Sequence, residues 1–213
     1  MTNLISLSRR QSGQWPVIRP VGIDDVPSMR LGWSSRLDKD DLLKALRRDP
    51  GLTLWIPETG EFIAGGRWRH RREIATILEL SGTAHATDLV QALVEQARRR
   101  DRRLVIVSER YEQRKEAFYT SAGFELIEEI LIYELGRIPS RRIESGDLIM
   151  TPVDVDDPLQ LDELIRVDHA AFPWLWWNSV DEFKDYAESP GVEIYLGRIG
   201  NRPVSYIGIT RFR

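Results

Sequence analysis

The feature that most constrains this fold is a repeat between the front and the back of the chain. Residues 20–25 read PVGIDD and residues 152–157 read PVDVDD. Residues 50–60 read PGLTLWIPETG and residues 190–200 read PGVEIYLGRIG. Two matches in the same order at nearly the same offset are typical of a duplicated structural unit. We therefore predict two related units.

The second unit is expected to repeat only the opening of the first. When the second match is extended along the chain, Trp55 aligns with Tyr195 and Glu73 aligns with Arg213. Residues 74 to about 135 of the first unit therefore have no counterpart. The stretch GRIPSRRIESGD at 136–147 has the Gly, Pro, Ser and Arg content of a linker. We predict a complete unit over 1–136, a linker over 137–147 and the front half of a second unit over 148–213.

Composition narrows the class of protein. The 213 residues are 42% hydrophobic and 30% charged, which is the profile of a soluble globular protein. The net charge of -3 is unlike that of a nucleic-acid binder, which is clearly basic. The absence of cysteine excludes disulfides, thiolate metal sites and cysteine nucleophiles.

Targeting and metal signals are lacking as well. The sequence contains no apolar run of the roughly 18 residues that a membrane span needs and no signal peptide, so we predict a cytoplasmic protein without membrane contact. The histidines His70, His85 and His169 lie far apart in the sequence, and none has acidic residues at the spacing of a metal-binding motif. We therefore predict no metal site.

Hydrophobic patterning predicts alternating strands and helices in the first unit. The strongest helix is Thr87–Arg100, whose Leu89 and Leu93 share one face. Further helices are predicted near Asp24, over Asp38–Arg48 and over Glu112–Ala122. The predicted strands are Val17–Val21, Leu52–Ile56, Phe62–Arg69, Ala75–Leu80, Leu104–Val107 and Glu125–Leu135. This order predicts an α/β fold in which a mixed sheet has helices on both faces.

The second unit shows the same opening pattern. We predict a strand over Leu148–Val153, helices over Pro158–Phe172 and Val180–Glu188, and hairpin strands over Glu193–Ile199 and Pro203–Phe212. The last strand would be an exposed sheet edge, which proteins usually cover. We expect the first unit or a second copy of the chain, in a homodimer, to cover it.

One segment and the element order together resemble a known family. Residues 117–124 read AFYTSAGF, just before the predicted last strand, and residues 77–80 read ILEL, just before the helix Thr87–Arg100. The chain resembles the GNAT superfamily, the acyl-CoA-dependent N-acyltransferases, over 17–135 as a whole unit and over 148–213 as a front half. The resemblance implies a GNAT-type mixed sheet.

The resemblance also implies acetyl-CoA as cosubstrate. The fourth strand of the family holds the pantetheine, and the loop that follows, written Q/R-x-x-G-x-G/A, holds the pyrophosphate on backbone N–H groups. Here the small residues remain as Ala84 and Ala86, whereas Ser81 replaces the leading Arg or Gln. The implied cofactor-binding residues are Leu80, Ser81, Gly82, Thr83, Ala84, His85 and Ala86. The alternative is a loop that only caps a helix.

Catalytic roles follow from the same resemblance. Tyr119 would be the general acid that protonates the CoA thiolate, and Glu79 would be the base for the acceptor amine. The alternatives are a half-buried tyrosine that packs its helix onto the sheet and a solvent-facing strand glutamate. In the second unit, Trp174, Trp176 and Trp177 could line an apolar or cationic substrate site, or serve core or interface packing.

These observations predict an enzyme, an N-acetyltransferase that transfers an acetyl group from acetyl-CoA to a primary amine of a small molecule or peptide. The alternative is a catalytically inactive GNAT-like domain with a structural or regulatory role in a tandem protein. Nucleic-acid binding would rest only on the arginine runs at 67–72 and 98–103, and such runs are usually solvated. We therefore expect no nucleic-acid partner.

Overall fold

The computed structural model describes residues 16–32, 35–108, 113–129 and 146–211, with the side chains of 113–115 outside the description. The chain divides into two compact units. The first comprises Met1–Trp68 and Arg72–Glu125, and the second comprises Arg69–Arg71 and Leu126–Arg213. Most of the predicted linker over 137–147 lies outside the described residues, and the predicted domain boundaries stay a prediction.

The first unit contains a five-stranded sheet in the order β1-β2-β3-β4-β5. The β1–β2 and β2–β3 pairs are antiparallel and the β4–β5 pair is parallel, so the sheet is mixed. The strands are β1 (Arg19–Pro20), β2 (Leu54–Ile56), β3 (Glu61–Trp68), β4 (Arg71–Ser81) and β5 (Leu104–Val107). The helices are a 3₁₀ turn (Ile23–Ser28), α1 (Lys39–Arg48), α2 (Ala86–Arg99) and α3 (Gln113–Ser121).

Side chains alternate across this sheet and meet helices on both faces, which confirms the predicted α/β class. Trp55 and Phe62 are paired across β2 and β3 and pack in one core with Leu42 of α1. Their neighbours Leu54 and Ile63 are paired as well and pack in a second core. The second core also contains Leu89, Val90 and Leu93 of α2 and Tyr119 of α3.

The ends of α1 follow from its sequence. The side chain of Asp38 accepts a hydrogen bond from the backbone N–H of Asp41, at 2.8 Å, in a reciprocal capping box. The helix ends at Arg48, and Gly51 then takes a positive φ of 80°, which glycine adopts without strain.

A buried carboxylate holds the end of α1 to two other segments of this unit. The side chain of Asp49 is 1% exposed and forms ion pairs with Arg67 at 3.0 Å and Arg102 at 3.1 Å. Arg67 also donates to the backbone carbonyl of Arg48, at 2.7 Å. One arginine from each predicted basic run therefore has a structural role.

Two strand predictions for the first unit were too long. The first strand is confined to Arg19–Pro20, which pair with Trp55 and Leu54 of β2. Residues 125–129 of the predicted strand Glu125–Leu135 carry no regular structure, and residues 130–135 lie outside the described residues.

The second unit contains an antiparallel sheet in the order β6-β7-β8, with β8 at an edge among the described strands. Its strands are β6 (Leu148–Pro152), β7 (Val192–Ile199) and β8 (Arg202–Thr210). Its helices are α4 (Pro158–Ala171), a 3₁₀ turn (Trp174–Trp176) and α5 (Val180–Glu188). Leu164 and Phe183 pack with Ile194 and Leu196 of β7 in one core. The homodimer expected to cover β8 stays a prediction.

The local geometry corrects the predicted match between the repeats by one residue. Gly51 and Gly191 both have a positive φ, 80° and 78°, after a helix. The residue directly after the first strand of each unit makes an equivalent hydrogen bond. The N–H of Val21 donates to the carbonyl of Thr53, and the N–H of Val153 donates to the carbonyl of Ile194. Trp55 therefore corresponds to the buried Leu196, and its predicted match with Tyr195 is wrong. The carbonyl that accepts from the first strand lies two residues after Gly51 but three residues after Gly191.

Candidate active site

The candidate site is built around the end of β4. Parallel pairing with β5 runs from Ile74 opposite Leu104 to Ile77 opposite Val107. The strand continues over Leu78–Ser81, and α2 begins at Ala86. Beyond its pairing with β5, the strand therefore leads directly into the N-terminus of a 14-residue helix. The sequence predicted a strand over Ala75–Leu80 and a helix over Thr87–Arg100. The strand begins four residues earlier than predicted, and the other three ends lie within one residue of the prediction.

The backbone N–H groups of the loop converge on one carboxylate, that of Glu61. Its Oε1 accepts from Thr83 at 2.7 Å and from Ala84 at 2.9 Å. Its Oε2 accepts from His85 at 3.2 Å. The loop N–H groups thus form an anion cradle, and an acidic side chain of the same unit occupies it.

Glu61 reaches the loop because of the sheet register. It is the first residue of β3 and lies opposite Ile56 of β2, after a turn that includes Gly60 with a φ of 76°. Glu61 was not among the site residues predicted from the sequence. Its only signal was an acidic residue at the start of a strand, and the register that brings it to the loop is a tertiary property.

The surroundings of the Glu61 carboxyl favour its charged form. Burial raises its pKa. The hydrogen bonds from the N–H groups of Thr83, Ala84 and His85 and the charge of His85 lower the pKa, and their combined effect exceeds that of burial. The net effect holds the pKa of Glu61 below its ordinary value. The carboxylate therefore stays an anion on the loop at neutral pH.

Other predicted cofactor residues lie along this strand and loop. Leu80 packs against the second core, Ser81 ends β4, and Ala86 begins α2. A Cβ at Gly82 would make only ordinary contacts with Leu89 and Glu61, at 3.4 and 3.5 Å. The backbone N–H groups of Thr83, Ala84 and His85 are donors that could bind a pyrophosphate, provided that the Glu61 carboxylate leaves them.

Tyr119 lies in the second core of the first unit, with 5% of its surface exposed. Its ring meets Phe118 and Phe124 edge to face, with centroids 5.1 and 5.5 Å away. Its backbone carbonyl accepts from Phe124 at 3.0 Å, beyond Gly123 with its φ of 92°. These contacts fix the ring, which suits either a packing role or a positioned acid.

The carboxylate of Glu79 does not face only solvent, because it accepts hydrogen bonds from residues 35–37. Both of its carboxylate oxygens accept from the Ser35 hydroxyl, at 2.8 Å. Its Oε2 also accepts from the backbone N–H groups of Arg36 at 3.0 Å and Leu37 at 3.1 Å. Glu79 therefore holds the segment that leads into α1.

We predict that Glu79→Ala destabilises the protein by about 1–3 kcal/mol, because it leaves the donors of residues 35–37 without this acceptor. Urea denaturation followed by circular dichroism measures the change. Glu58→Ala is the control, since it removes the same charge from an exposed turn. Equal stabilities of the two variants would contradict the anchoring role.

The three tryptophans of the predicted substrate site belong to the second unit. Trp177 stacks on His169 with ring centroids 4.3 Å apart, and its Nε1 donates to the carbonyl of Phe172 at 2.7 Å. The Nε1 of Trp176 donates to Glu128. Trp174 is 49% exposed. These contacts leave Trp174 as the most accessible ring, and the substrate role of all three stays a prediction.

A buried polar cluster in the second unit was also not predicted from the sequence. Asp168 is fully buried and accepts from the backbone and the side-chain amide of Asn178, both at 2.8 Å. It also accepts from the Tyr206 hydroxyl at 2.7 Å. Burial and this carboxylate raise the pKa of Tyr206. The cluster ties α4, the start of α5 and β8 together.

Two negative findings concern the described part of the chain. None of its helices is long and apolar enough to cross a membrane. Within the same residues, no group of three or more His, Asp or Glu side chains is arranged to hold a metal ion.

The chain matches no model of a known protein family and no curated protein. Seven solved chains are similar to it in structure. One is Ard1 from Thermoplasma volcanium, with 19% identity and a TM-score of 0.44, covering 53% of this chain and 84% of the other. Another is a mutant of TTHA1254 from Thermus thermophilus, with 20% identity and a TM-score of 0.43, covering 59% and 99%.

A third is glucosamine-6-phosphate N-acetyltransferase from Arabidopsis thaliana, with 12% identity and a TM-score of 0.35, covering 57% of this chain and 98% of the other. At such identities a likeness concerns the fold alone. The α/β architecture given above rests on the strand order, the pairings and the two cores of the first unit.

Proposed function

We propose that the first unit is an acyl-CoA-dependent N-acyltransferase domain of the GNAT type, which transfers an acetyl group from acetyl-CoA to a primary amine. The observation that supports this most is the path of β4. The strand extends past its pairing with β5 and ends at a loop whose N–H groups already bind a carboxylate. Backbone N–H groups at a helix N-terminus are suited to phosphate groups.

In this proposal, the backbone of Glu79–Ser81 holds the pantetheine and polarises the thioester carbonyl. The N–H groups of Thr83, Ala84 and His85 hold the pyrophosphate once Glu61 has left. The amine nitrogen attacks the thioester carbon, the new C–N bond forms, and the C–S bond breaks with its electron pair on sulfur. The Tyr119 hydroxyl gives its proton to that thiolate.

The proton lost by the amine goes to Glu79 or to water. The Glu79 carboxylate already accepts hydrogen bonds from residues 35–37, so taking up a proton would weaken its hold on this segment. The acceptor is proposed to be a small molecule or peptide with a primary amine. Separately, Trp174, Trp176 and Trp177 of the second unit are proposed to bind an apolar or cationic substrate group.

Calorimetric titration of the full chain with acetyl-CoA tests the proposal. We expect saturable binding with a Kd below about 1 mM. Ala84→Asp should abolish it, because a second carboxylate at this exposed loop position would repel the pyrophosphate. Ala171→Asp, at an exposed position of the second unit, is the matched control and should bind like the wild type.

A second candidate function is a non-catalytic domain with a structural or regulatory role. The observation that favours it is the occupation of the loop by Glu61, which satisfies the N–H groups as a helix cap would. If the wild-type chain and the variants Glu61→Gln and Glu61→Ala, all folded, bind no acetyl-CoA up to about 1 mM, this second function is the correct one. If binding is found, release of free CoA in a screen of primary amines identifies the acceptor.

A further inference from the structure

We infer that Glu61 is an internal competitor for the cosubstrate: its carboxylate occupies the pyrophosphate loop and must leave before CoA binds. This inference rests on the proposed function and adds a means of regulating the same site. The proposal is carried by three contacts, in which the N–H groups of Thr83, Ala84 and His85 all donate to this one side chain.

The origin of Glu61 distinguishes it from an ordinary helix cap. A cap is normally supplied by the residue at the helix N-terminus, which here is His85, and His85 makes no side-chain capping bond. Glu61 comes instead from the start of β3, 24 residues before His85. A bond between separate elements can open while α2 keeps its own backbone hydrogen bonds.

The loop is accessible from solvent, as a displaceable occupant requires. Thr83 and Ala84 are exposed, and Glu61 is partly exposed next to a surface turn. The backbone of Glu61 is fixed by its pairing with Ile56, so a rotation of the side chain is enough to empty the cradle.

Charge makes the two occupants mutually exclusive. A carboxylate and a pyrophosphate on the same N–H groups would stand at contact distance, where like charges repel strongly. The chain therefore binds CoA only to the extent that the ligand displaces Glu61. Any partner or modification that draws the Glu61 side chain out of the loop would raise the affinity for CoA.

The test is calorimetric titration of the full chain with CoA and, separately, with pantetheine, which lacks the pyrophosphate. We expect Glu61→Gln and Glu61→Ala to lower the Kd for CoA by about tenfold or more, because the anion that competes for the loop N–H groups is removed. The affinity for pantetheine should not change. Glu58→Gln, which removes a charge from the adjacent exposed turn, should leave both affinities at the wild-type value.

A second readout follows the loop itself. In ¹⁵N-resolved NMR spectra, the amide signals of Thr83 and Ala84 should shift upfield in Glu61→Gln, because a charged acceptor has been removed. The addition of CoA should move them back. Retention of the wild-type amide shifts in this variant would overturn the contact.

The titrations separate the inference from the proposed function. If the wild type and both variants bind CoA equally, the competitor role is wrong and the proposed function stands. If the variants gain affinity for CoA and pantetheine alike, the effect lies elsewhere and the inference is overturned. If no folded variant binds CoA, the proposed function fails and the inference fails with it.

Discussion

Asp49→Ala should cost about 3–5 kcal/mol of folding free energy, the usual cost of removing one partner from a buried ion pair. The Asp49 side chain is 1% exposed, and those of Arg67 and Arg102 are 19% and 12% exposed. Without the carboxylate, two largely buried guanidinium groups lose their shared counter-charge. Urea denaturation followed by circular dichroism measures the loss.

Two further variants sharpen this prediction. Asp49→Asn keeps the shape and an acceptor oxygen but not the charge, so its loss should lie between zero and that of Asp49→Ala. Asp40→Ala removes an exposed aspartate from the first turn of α1 and should cost less than about 1 kcal/mol. A loss below about 1 kcal/mol for Asp49→Ala would show that this pair does not hold the unit together.

Local elements were predictable from the sequence where one residue type decides the structure. The helix predicted over Asp38–Arg48 begins one residue later, because Asp38 is its N-cap, and Gly51 follows the helix end. The helix Val180–Glu188 was predicted with its observed bounds, and in the structure Ser179 caps it. These signals depend on residues within about one helical turn of each other, which a sequence displays directly.

Properties that depend on register were not predictable. The match of Trp55 with Tyr195 was wrong by one residue, because the position that pairs with the first strand lies one residue further from Gly191 than from Gly51. A shift of one residue along a strand moves its side chains to the opposite face. Glu61 was missed for the same reason, since only the pairing of β2 with β3 brings it to the loop of α2. Asp168 was missed because its partners are set by tertiary packing.

The strand and the helix on either side of the loop were therefore predicted from the sequence, whereas the carboxylate that binds the loop N–H groups was not. The loop at 82–86 and the preceding strand lie where the sequence indicated. A pattern of small residues predicts that a backbone can approach an anion. It does not say which anion is present, because the nearest carboxylate belongs to another strand.

Tyr119→Phe should lower kcat by roughly 100-fold or more, the usual effect of losing a positioned proton donor. The KM for acetyl-CoA should stay close to the wild-type value, because the proton moves only as the C–S bond breaks. The ring itself is retained, so its edge contacts with Phe118 and Phe124 are preserved. The measurement is CoA release with an amine found in the screen.

Tyr195→Phe provides the matched control for this substitution. It removes a hydroxyl that donates to Glu193 in the second unit and should leave kcat unchanged. Thermal unfolding of both variants separates chemistry from folding, since losing one hydroxyl hydrogen bond costs about 0.5–3 kcal/mol, the upper end applying to a charged acceptor such as Glu193. Full activity of a folded Tyr119→Phe protein would leave the tyrosine with only a packing role, and the proton for the thiolate would then have to come from water.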